Sequence, residues 1–60
     1  MKDKEIYLQA LKINRGETDE IELGEILGFK EDITQKIISQ LLSEHKIKFE
    51  QFGLCNYTIK

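Results

Sequence analysis

The chain has 60 residues, of which 40% are hydrophobic and 33% are charged, and it contains no proline. This length allows one small domain and excludes a second, and the composition is too apolar for a disordered tail and too polar for a membrane segment. The formal net charge of -2 excludes a uniformly basic nucleic-acid binder. We therefore expect residues 1–60 to form a single small globular domain.

The lengths of the apolar runs and the composition of the first residues predict the cellular location of the protein. No apolar run approaches the roughly 18 residues of a membrane-spanning helix. The charged stretch Met1–Glu5 also lacks the apolar region of a signal peptide. We expect a cytoplasmic protein without a membrane partner.

Few residues have the chemistry of a catalytic or metal site. Cys55 is the sole cysteine and His45 the sole histidine, so an internal disulfide is excluded and a zinc site, which usually needs four ligands, is disfavoured. We find no nucleophile–base pair, no phosphate-binding glycine loop and no metal-ligand spacing. We predict no enzymatic activity, no metal and no cofactor.

The charges are distributed unevenly along the chain. Residues 17–25 contain five carboxylates and no base, a net of -5, whereas the rest has nine bases against six acids, a net of +3. Such a cluster can dock a basic partner, but most of it falls in the first turn of a predicted helix, where carboxylates interact favourably with the helix dipole. We favour the second interpretation, which requires no partner.

A first helix is predicted from Asp3 to Ile13. Asp3 suits the N-cap position, and Gly16 supplies the left-handed residue that ends the helix. The apolar residues at three-to-four spacing are Ile6, Tyr7, Ala10, Leu11 and Ile13. We expect the hydroxyls of Tyr7 and Tyr57 to lie in water at the edge of the core.

A second helix is predicted to begin near Asp19 and to end at Gly28. Asp19 and Glu22 have the spacing of a capping box, in which the N-cap side chain bonds a backbone amide three residues later. The apolar side of this helix consists of Ile21, Leu23, Ile26 and Leu27. The second helix is therefore expected to be short and to pack its apolar side against the core.

A third helix follows Phe29, which we expect to fill part of the core. The helix opens at Lys30 or Asp32, and its period ends at His45 or Lys46, where the imidazole interacts favourably with the dipole. Its apolar stripe consists of Ile33, Ile37, Ile38, Leu41 and Leu42. This apolar stripe is wider than the seam of a coiled-coil helix, which has two apolar positions in every seven residues.

After residue 46 the apolar period changes from helical to alternating, which is typical of strands. The apolar strand residues are Ile47, Phe49, Cys55, Tyr57 and Ile59. We predict a hairpin with a three-residue turn at 51–53, in which Gly53 is left-handed. The resulting pairs are Glu50–Leu54, Phe49–Cys55 and Ile47–Tyr57. This register places the apolar residues on one face and Cys55 inward, as a small hydrophobe and not a redox sensor.

The order helix, helix, helix, hairpin contains the ingredients of a helix-turn-helix with a wing. The stretch Glu22–Phe29, with the sequence ELGEILGF, is similar to the second-helix-and-turn signature of winged-helix regulators. Gly24 occupies its small-residue position, where it allows the third helix to cross closely. Over roughly residues 6–59 the chain resembles the winged-helix (winged helix-turn-helix) DNA-binding domain superfamily. The resemblance implies an α+β fold, a three-helix bundle followed by a C-terminal two-stranded β-hairpin wing.

The resemblance also implies DNA contacts from the third helix and the wing. In winged-helix proteins the solvent side of the third helix enters the major groove and the wing touches the backbone or minor groove, which assigns these roles to residues 31–44 and 46–59. Gln35 and Lys36 would read base edges, and the other polar residues would contact phosphates. The implied DNA-binding residues are Lys30, Gln35, Lys36, Ser39, Gln40, Lys46 and Lys48. The alternative is that Gln35 and Lys36 are simply a solvated helix face.

Three apolar residues are candidates for a further interface. Ile33 and Ile37 widen the stripe of the third helix, so they either form a homodimer interface or are covered by the hairpin and the first helix. Phe52, near the hairpin tip, inserts between bases, anchors a protein partner or folds back over the hairpin. All of these interpretations stay open at the level of sequence.

The function predicted from these residues is DNA binding by a small transcriptional regulator that is dimeric when active. The alternative is a winged-helix interaction module that binds a protein. Glu31 and Asp32 favour this alternative, because they stand at the helix start, where DNA-binding families of this type commonly carry arginine or serine.

Overall fold

The computed structural model describes residues 2–60 and contains three helices followed by a two-stranded antiparallel hairpin. The elements are α1 (Lys2–Asn14), α2 (Glu20–Ile26), α3 (Glu31–Ser43), β1 (Ile47–Phe52) and β2 (Cys55–Ile59). This α+β layout confirms the predicted fold class and is consistent with a winged helix.

The first helix, α1, ends in two successive left-handed residues. It starts earlier than predicted, so Asp3 lies in the first turn and not at the N-cap. After Asn14 the backbone φ is 49° at Arg15 and 79° at Gly16. Glycine adopts such a φ without steric cost, so the predicted role of Gly16 in ending the helix is confirmed.

Both ends of α2 have the predicted chemistry. At its start, an oxygen of the Asp19 side chain accepts a hydrogen bond from Glu22 N–H at 2.7 Å. At its end, Phe29 N–H donates to Gly24 O at 2.8 Å across Gly28, whose φ is 91°. This bond and the left-handed residue form a Schellman motif, which satisfies a terminal carbonyl of the helix.

The third helix, α3, ends in the same motif with histidine in place of glycine. Lys30 is its N-cap residue and makes no side-chain capping bond. At the other end, Lys46 N–H donates to Leu41 O at 3.0 Å, and His45 N–H donates to Leu42 O at 3.1 Å. The φ of His45 is 60°, so this residue adopts the left-handed conformation that ends the helix. The sequence predicts for His45 only a favourable interaction with the helix dipole.

The core lies between the helices and the inner face of the hairpin. Its buried hydrophobic side chains are Tyr7, Leu11, Leu23, Ile37, Ile38, Leu41, Ile47 and Cys55. Leu41 is fully buried, and Phe29 packs against the cluster from a partly buried position, as predicted. The inward position of Cys55 is also confirmed.

Four isoleucines from the predicted apolar stripes lie on the surface instead. The exposed fractions are 47% for Ile6, 80% for Ile13, 68% for Ile26 and 40% for Ile33. A chain of this length has a small core, which covers a narrower arc of each helix than the apolar pattern spans. The stripes predicted from periodicity were therefore too wide.

Tyr7 is a second correction. Its side chain is fully buried, and its hydroxyl donates to Glu20 O at 2.8 Å instead of lying in water. Burial, with smaller contributions from nearby Cys55 and Glu20, raises the pKa of the Tyr7 hydroxyl far above its ordinary value. The phenol therefore stays protonated and remains a hydrogen-bond donor to α2.

The crossing of α2 and α3 takes place at Gly24, as predicted. Gly24 is buried, and a Cβ atom at this position would overlap the side chain of Thr34 on α3. Thr34 is itself fully buried. The missing side chain of Gly24 is therefore what allows the two helices to approach at this point.

The hairpin register differs from the predicted one by two residues at Ile47 and Phe49 and by three at Cys55, beyond a bulge. The observed partners are Ile47–Ile59, Lys48–Thr58, Phe49–Tyr57 and Phe52–Cys55. The predicted pairs Glu50–Leu54, Phe49–Cys55 and Ile47–Tyr57 are therefore wrong. β1 continues through Phe52, and the turn contains only Gly53 and Leu54. A shift of two residues preserves the side-chain alternation, so Ile47 still faces the core. Cys55 lies beyond the bulge, where the shift is three residues, and it also faces the core.

The tip of the hairpin is bonded to the connection between α1 and α2. Leu54 N–H donates to Gly16 O at 2.8 Å. Gly16 and Gly53 lie so close together that a Cβ atom on either would overlap the backbone of the opposite segment. The tip of the hairpin is therefore held against the helical body.

Candidate nucleic-acid interface

The solvent side of α3 is the polar face that the resemblance assigns to DNA. The buried side of the helix consists of Thr34, Ile37, Ile38 and Leu41. Helical periodicity places on the opposite side Asp32, Lys36, Ser39 and Ser43. The structure thus brings two of the predicted contact residues, Lys36 and Ser39, onto one exposed face.

Gln35 lies at the edge of this face, beside α2 and β2. Its Nε2 donates to Glu31 Oε2, one turn earlier, at 3.3 Å. A shallow cleft of about 320 Å³ opens here, lined by Glu20, Ile21, Gln35, Ile38, Ser39, Leu42 and Tyr57. Gln35 is exposed, but its side-chain amide must first break the hydrogen bond to Glu31 before it can make a bidentate contact with adenine.

Gln40 lies one turn after Lys36 but points in a different direction. Its side chain is partly buried, and its Oε1 is buried without a hydrogen-bond partner among residues 2–60. The carbonyl of this amide is turned inward. The structure therefore does not present Gln40 together with Lys36 and Ser39.

Both predicted contact lysines of the hairpin are engaged by carboxylates. Lys46 Nζ lies 3.5 Å from Glu44 Oε1, and Lys48 Nζ lies 3.5 Å from Glu50 Oε1. Glu44 also accepts a hydrogen bond from Lys4 of α1, and this bond, with the charges of Lys4 and Lys46, holds the pKa of the Glu44 carboxyl below its ordinary value. These carboxylates reduce the positive potential that the hairpin offers to a phosphate.

Lys30 and Lys36 are the lysines of α3 and its N-cap. Neither has an ion-pair partner within the described part of the chain. Glu31 and Asp32 stand between them in the first turn, where they interact favourably with the helix dipole. The free positive charge of this surface is therefore interrupted by two carboxylates.

The three predicted interface residues are found in different settings. Ile37 is 1% exposed within the core of its own chain, so it offers no surface to a partner. Ile33 is exposed. Phe52 is half-exposed and lines a groove of about 400 Å³ between α1 and the hairpin, with Leu11 and Ile59 in its apolar walls. The alternative in which the fold covers the stripe is therefore correct for Ile37.

Sequence reasoning missed the polar contacts that join α2 to the hairpin and those that join the end of α1 to the connection before α2. The Glu20 carboxylate accepts from Asn56 N–H at 3.0 Å and from Asn56 Nδ2 at 3.3 Å. Asn14 bonds the backbone of Thr18 twice, donating to its carbonyl at 2.7 Å and accepting from its N–H at 3.0 Å. The sequence did not indicate this role for Glu20, because its position in the acidic cluster was already explained by the interaction of the carboxylates with the helix dipole. These bonds fix the orientation of α2, on which α3 packs.

No family model, curated protein or solved structure matches this chain. Between residues 2 and 60, no helix is long and apolar enough to cross a membrane. Over the same range, no group of three or more His, Cys, Asp or Glu side chains is arranged to hold a metal ion. The fold and its polar face define a small α+β domain that exposes one side of its third helix.

Proposed function

We propose that this protein is a cytoplasmic regulator of transcription of the winged-helix type, which binds double-stranded DNA. Residues 31–44 enter the major groove, and the 46–59 hairpin lies against the sugar-phosphate backbone. The observation that best supports this proposal is the exposed polar face of α3, with Lys36 and Ser39 opposite the buried side. A helix held by one side and polar on the other fits a groove about 12 Å wide.

The polar residues of this surface have distinct roles in the proposal. Lys36 donates to guanine O6 and N7 or to a phosphate, because no carboxylate of residues 2–60 engages its ammonium group. Gln35 pairs with adenine once its bond to Glu31 is released. The Ser39 hydroxyl and the Lys30 ammonium contact phosphate oxygens and set the position of the helix.

The hairpin lysines add little to this binding surface. Lys46 and Lys48 must share their ammonium groups between a phosphate and their carboxylate partners, Glu44 and Glu50. Each of these carboxylates also repels the DNA backbone. We therefore expect a shallow salt dependence, equivalent to about two or three phosphate contacts.

Fluorescence anisotropy with a mixed-sequence duplex, at salt concentrations from roughly 20 to 200 mM, tests the proposal. The affinity of the wild-type chain should fall with salt, and Lys36→Ala should weaken binding and reduce the salt slope by about one. Lys12→Ala is the matched control, because Lys12 is an exposed lysine of α1 outside the proposed surface. No binding at the lowest salt, or equal losses in both variants, contradicts the proposal.

A protein-binding module is the second candidate function, and the exposed apolar side chains of the hairpin favour it. Phe49 is 74% exposed and Leu54 is 66% exposed. The Lys36→Ala, Lys48→Ala double variant separates the two candidates. It should weaken DNA binding and flatten the salt slope, whereas a mainly apolar protein interface should stay nearly intact.

A further inference from the structure

One edge of the hairpin is free. The sheet consists of β1 and β2 alone, and among the elements of residues 2–60 β1 contacts only β2 and α3. The outer edge of β2 is partly occupied, because Asn56 N–H bonds Glu20 Oε1, and in the turn before β2 Leu54 N–H bonds Gly16 O. The free edge of β1 is a template on which another strand can pair.

The hydrogen-bond ladder shows which backbone groups point outward from β1. Lys60 N–H donates to Lys46 O at 3.1 Å, so in the alternating antiparallel pattern Lys48 forms the next hydrogen-bonded pair with β2. Ile47 and Phe49 lie in the intervening pairs. Their N–H and C=O groups therefore point away from β2. Ile47 is 2% exposed, so its groups are covered, and Phe49 is the residue that offers its N–H and C=O at the free edge.

The side chains along this edge are exposed from Lys48 to Gln51. The ring of Phe49 packs edge-to-face on Tyr57, with 5.4 Å between the ring centroids. Phe49 nevertheless remains 74% exposed, which is a large apolar surface beside unpaired backbone groups. A strand that pairs here would cover both.

The sequence around Phe49 is complementary to itself in the antiparallel orientation. If a two-fold axis passes at Phe49, Lys48 of each copy lies opposite Glu50 of the other. Lys48 and Glu50 do share one face of the hairpin, since Lys48 Nζ lies 3.5 Å from Glu50 Oε1 and Thr58 Oγ1 donates to the same oxygen at 3.4 Å. Opposite charges directly across a strand pair are stabilising.

We propose that β1 pairs with β1 of a second copy, antiparallel about an axis at Phe49, to form a four-stranded sheet. The outward N–H and C=O of the two Phe49 residues bond each other, and two Lys48–Glu50 pairs flank them. The bulge that begins after Phe49 and the burial of Ile47, which is 2% exposed, limit the pairing to residues 48–50, so the dimer is small and reversible. This interface does not depend on DNA binding.

Sedimentation equilibrium of the full chain, from about 1 µM to 1 mM, measures this association. Lys48→Glu and Glu50→Lys each create like-charge pairs at both symmetric contacts, so each should weaken the dimer about tenfold or more. The double reversal restores opposite charges and should return the affinity to near that of the wild-type chain. Lys36→Ala, on α3, is the control and should leave the dimer unchanged.

A synthetic chain with an N-methylated Phe49 amide is a second, independent variant. The methyl group removes the outward N–H but leaves the bonds between β1 and β2 in place, so it should abolish the dimer and preserve the circular dichroism spectrum. The proposal is overturned by a wild-type chain that stays monomeric at about 1 mM. The proposal is also overturned if the single charge reversals leave the dimer affinity unchanged. It is overturned as well if the double variant dimerises no more tightly than the single variants.

Discussion

The Thr34 side chain is fully buried, yet its hydroxyl has no hydrogen-bond partner among the described residues. An unsatisfied buried polar group typically costs about 1–3 kcal/mol. Valine has nearly the same shape without the polar atom, so Thr34→Val should raise the free energy of unfolding by about 1 kcal/mol, or the Tm by about 4–8 °C. Urea denaturation measures the change. Thr34→Ser keeps the hydroxyl and loses a methyl group, so it should destabilise the fold; a Thr34→Val chain no more stable than wild type contradicts the prediction.

Single residues also show why some contacts were predictable and others were not. The Asp19 cap acts over three residues, so its bond to Glu22 N–H follows from local spacing. The bond from Asn56 to Glu20 spans 36 residues, and nothing in either neighbourhood specifies it. Long-range polar pairs depend on the completed packing. They are therefore the part of the structure that sequence patterns reveal least.

At the scale of elements, the crossing of α2 and α3 gives a prediction opposite to that of helix propensity. Propensity alone favours alanine over glycine in a helix by about 1 kcal/mol. Because a Cβ atom at Gly24 would overlap Thr34, Gly24→Ala should instead destabilise the fold, by about 1–3 kcal/mol. Thermal melts measure this loss. Thr34→Ala removes part of the overlapping side chain, so in a double-mutant cycle it should recover part of the loss; additive effects would contradict the proposed overlap.

The ion pair between α1 and the end of α3 gives stability a dependence on pH. The hydrogen bond from Lys4, with the charges of Lys4 and Lys46, lowers the pKa of the Glu44 carboxyl from its ordinary value of 4.5. The stabilisation of the fold by the ionised Glu44 carboxyl is therefore fully present above pH 4.5 and is lost as the pH falls through the lower, folded-state pKa. The Tm of Lys4→Gln should lie slightly below that of wild type at pH 7, and the difference should shrink in acid. Lys12→Gln is the control, and for it no such convergence is expected.

Helices and hairpin differ in how far the sequence determines them. A side-chain cap and a glycine mark the ends of α2 locally, so its boundaries agree with prediction to within two residues. α3 has neither signal, and its start at Glu31 and end at Ser43 were located only approximately, by the apolar period. The hairpin register depends on where the turn forms, and registers two residues apart place the same side chains inward. Alternation alone therefore did not distinguish a turn at Gly53–Leu54 from one at 51–53. The contact of the tip with Gly16, which accompanies the observed register, has no sequence signature.

At the scale of the whole molecule, the candidate surface was predicted in part. Periodicity was sufficient to place Lys36 and Ser39 on the solvent side of α3, because that face is simply opposite the core. Periodicity does not report which neighbours engage a side chain, so it missed the carboxylates beside Lys46 and Lys48. The electrostatic character of the surface therefore emerges only from the assembled fold.

The size of the core sets how much a single substitution matters for the whole chain. Leu41 is fully buried, so Leu41→Ala should cost about 2–5 kcal/mol, which is much of the stability of a domain this small. Ile13 was placed in the core by periodicity but is 80% exposed, so Ile13→Ala should change the free energy of unfolding by less than about 0.5 kcal/mol. Urea denaturation of both variants measures the contrast. Similar losses in the two variants would mean that α1 buries the wider stripe after all, whereas a large loss confined to Leu41 supports a narrow core that holds α3 by its inner side alone.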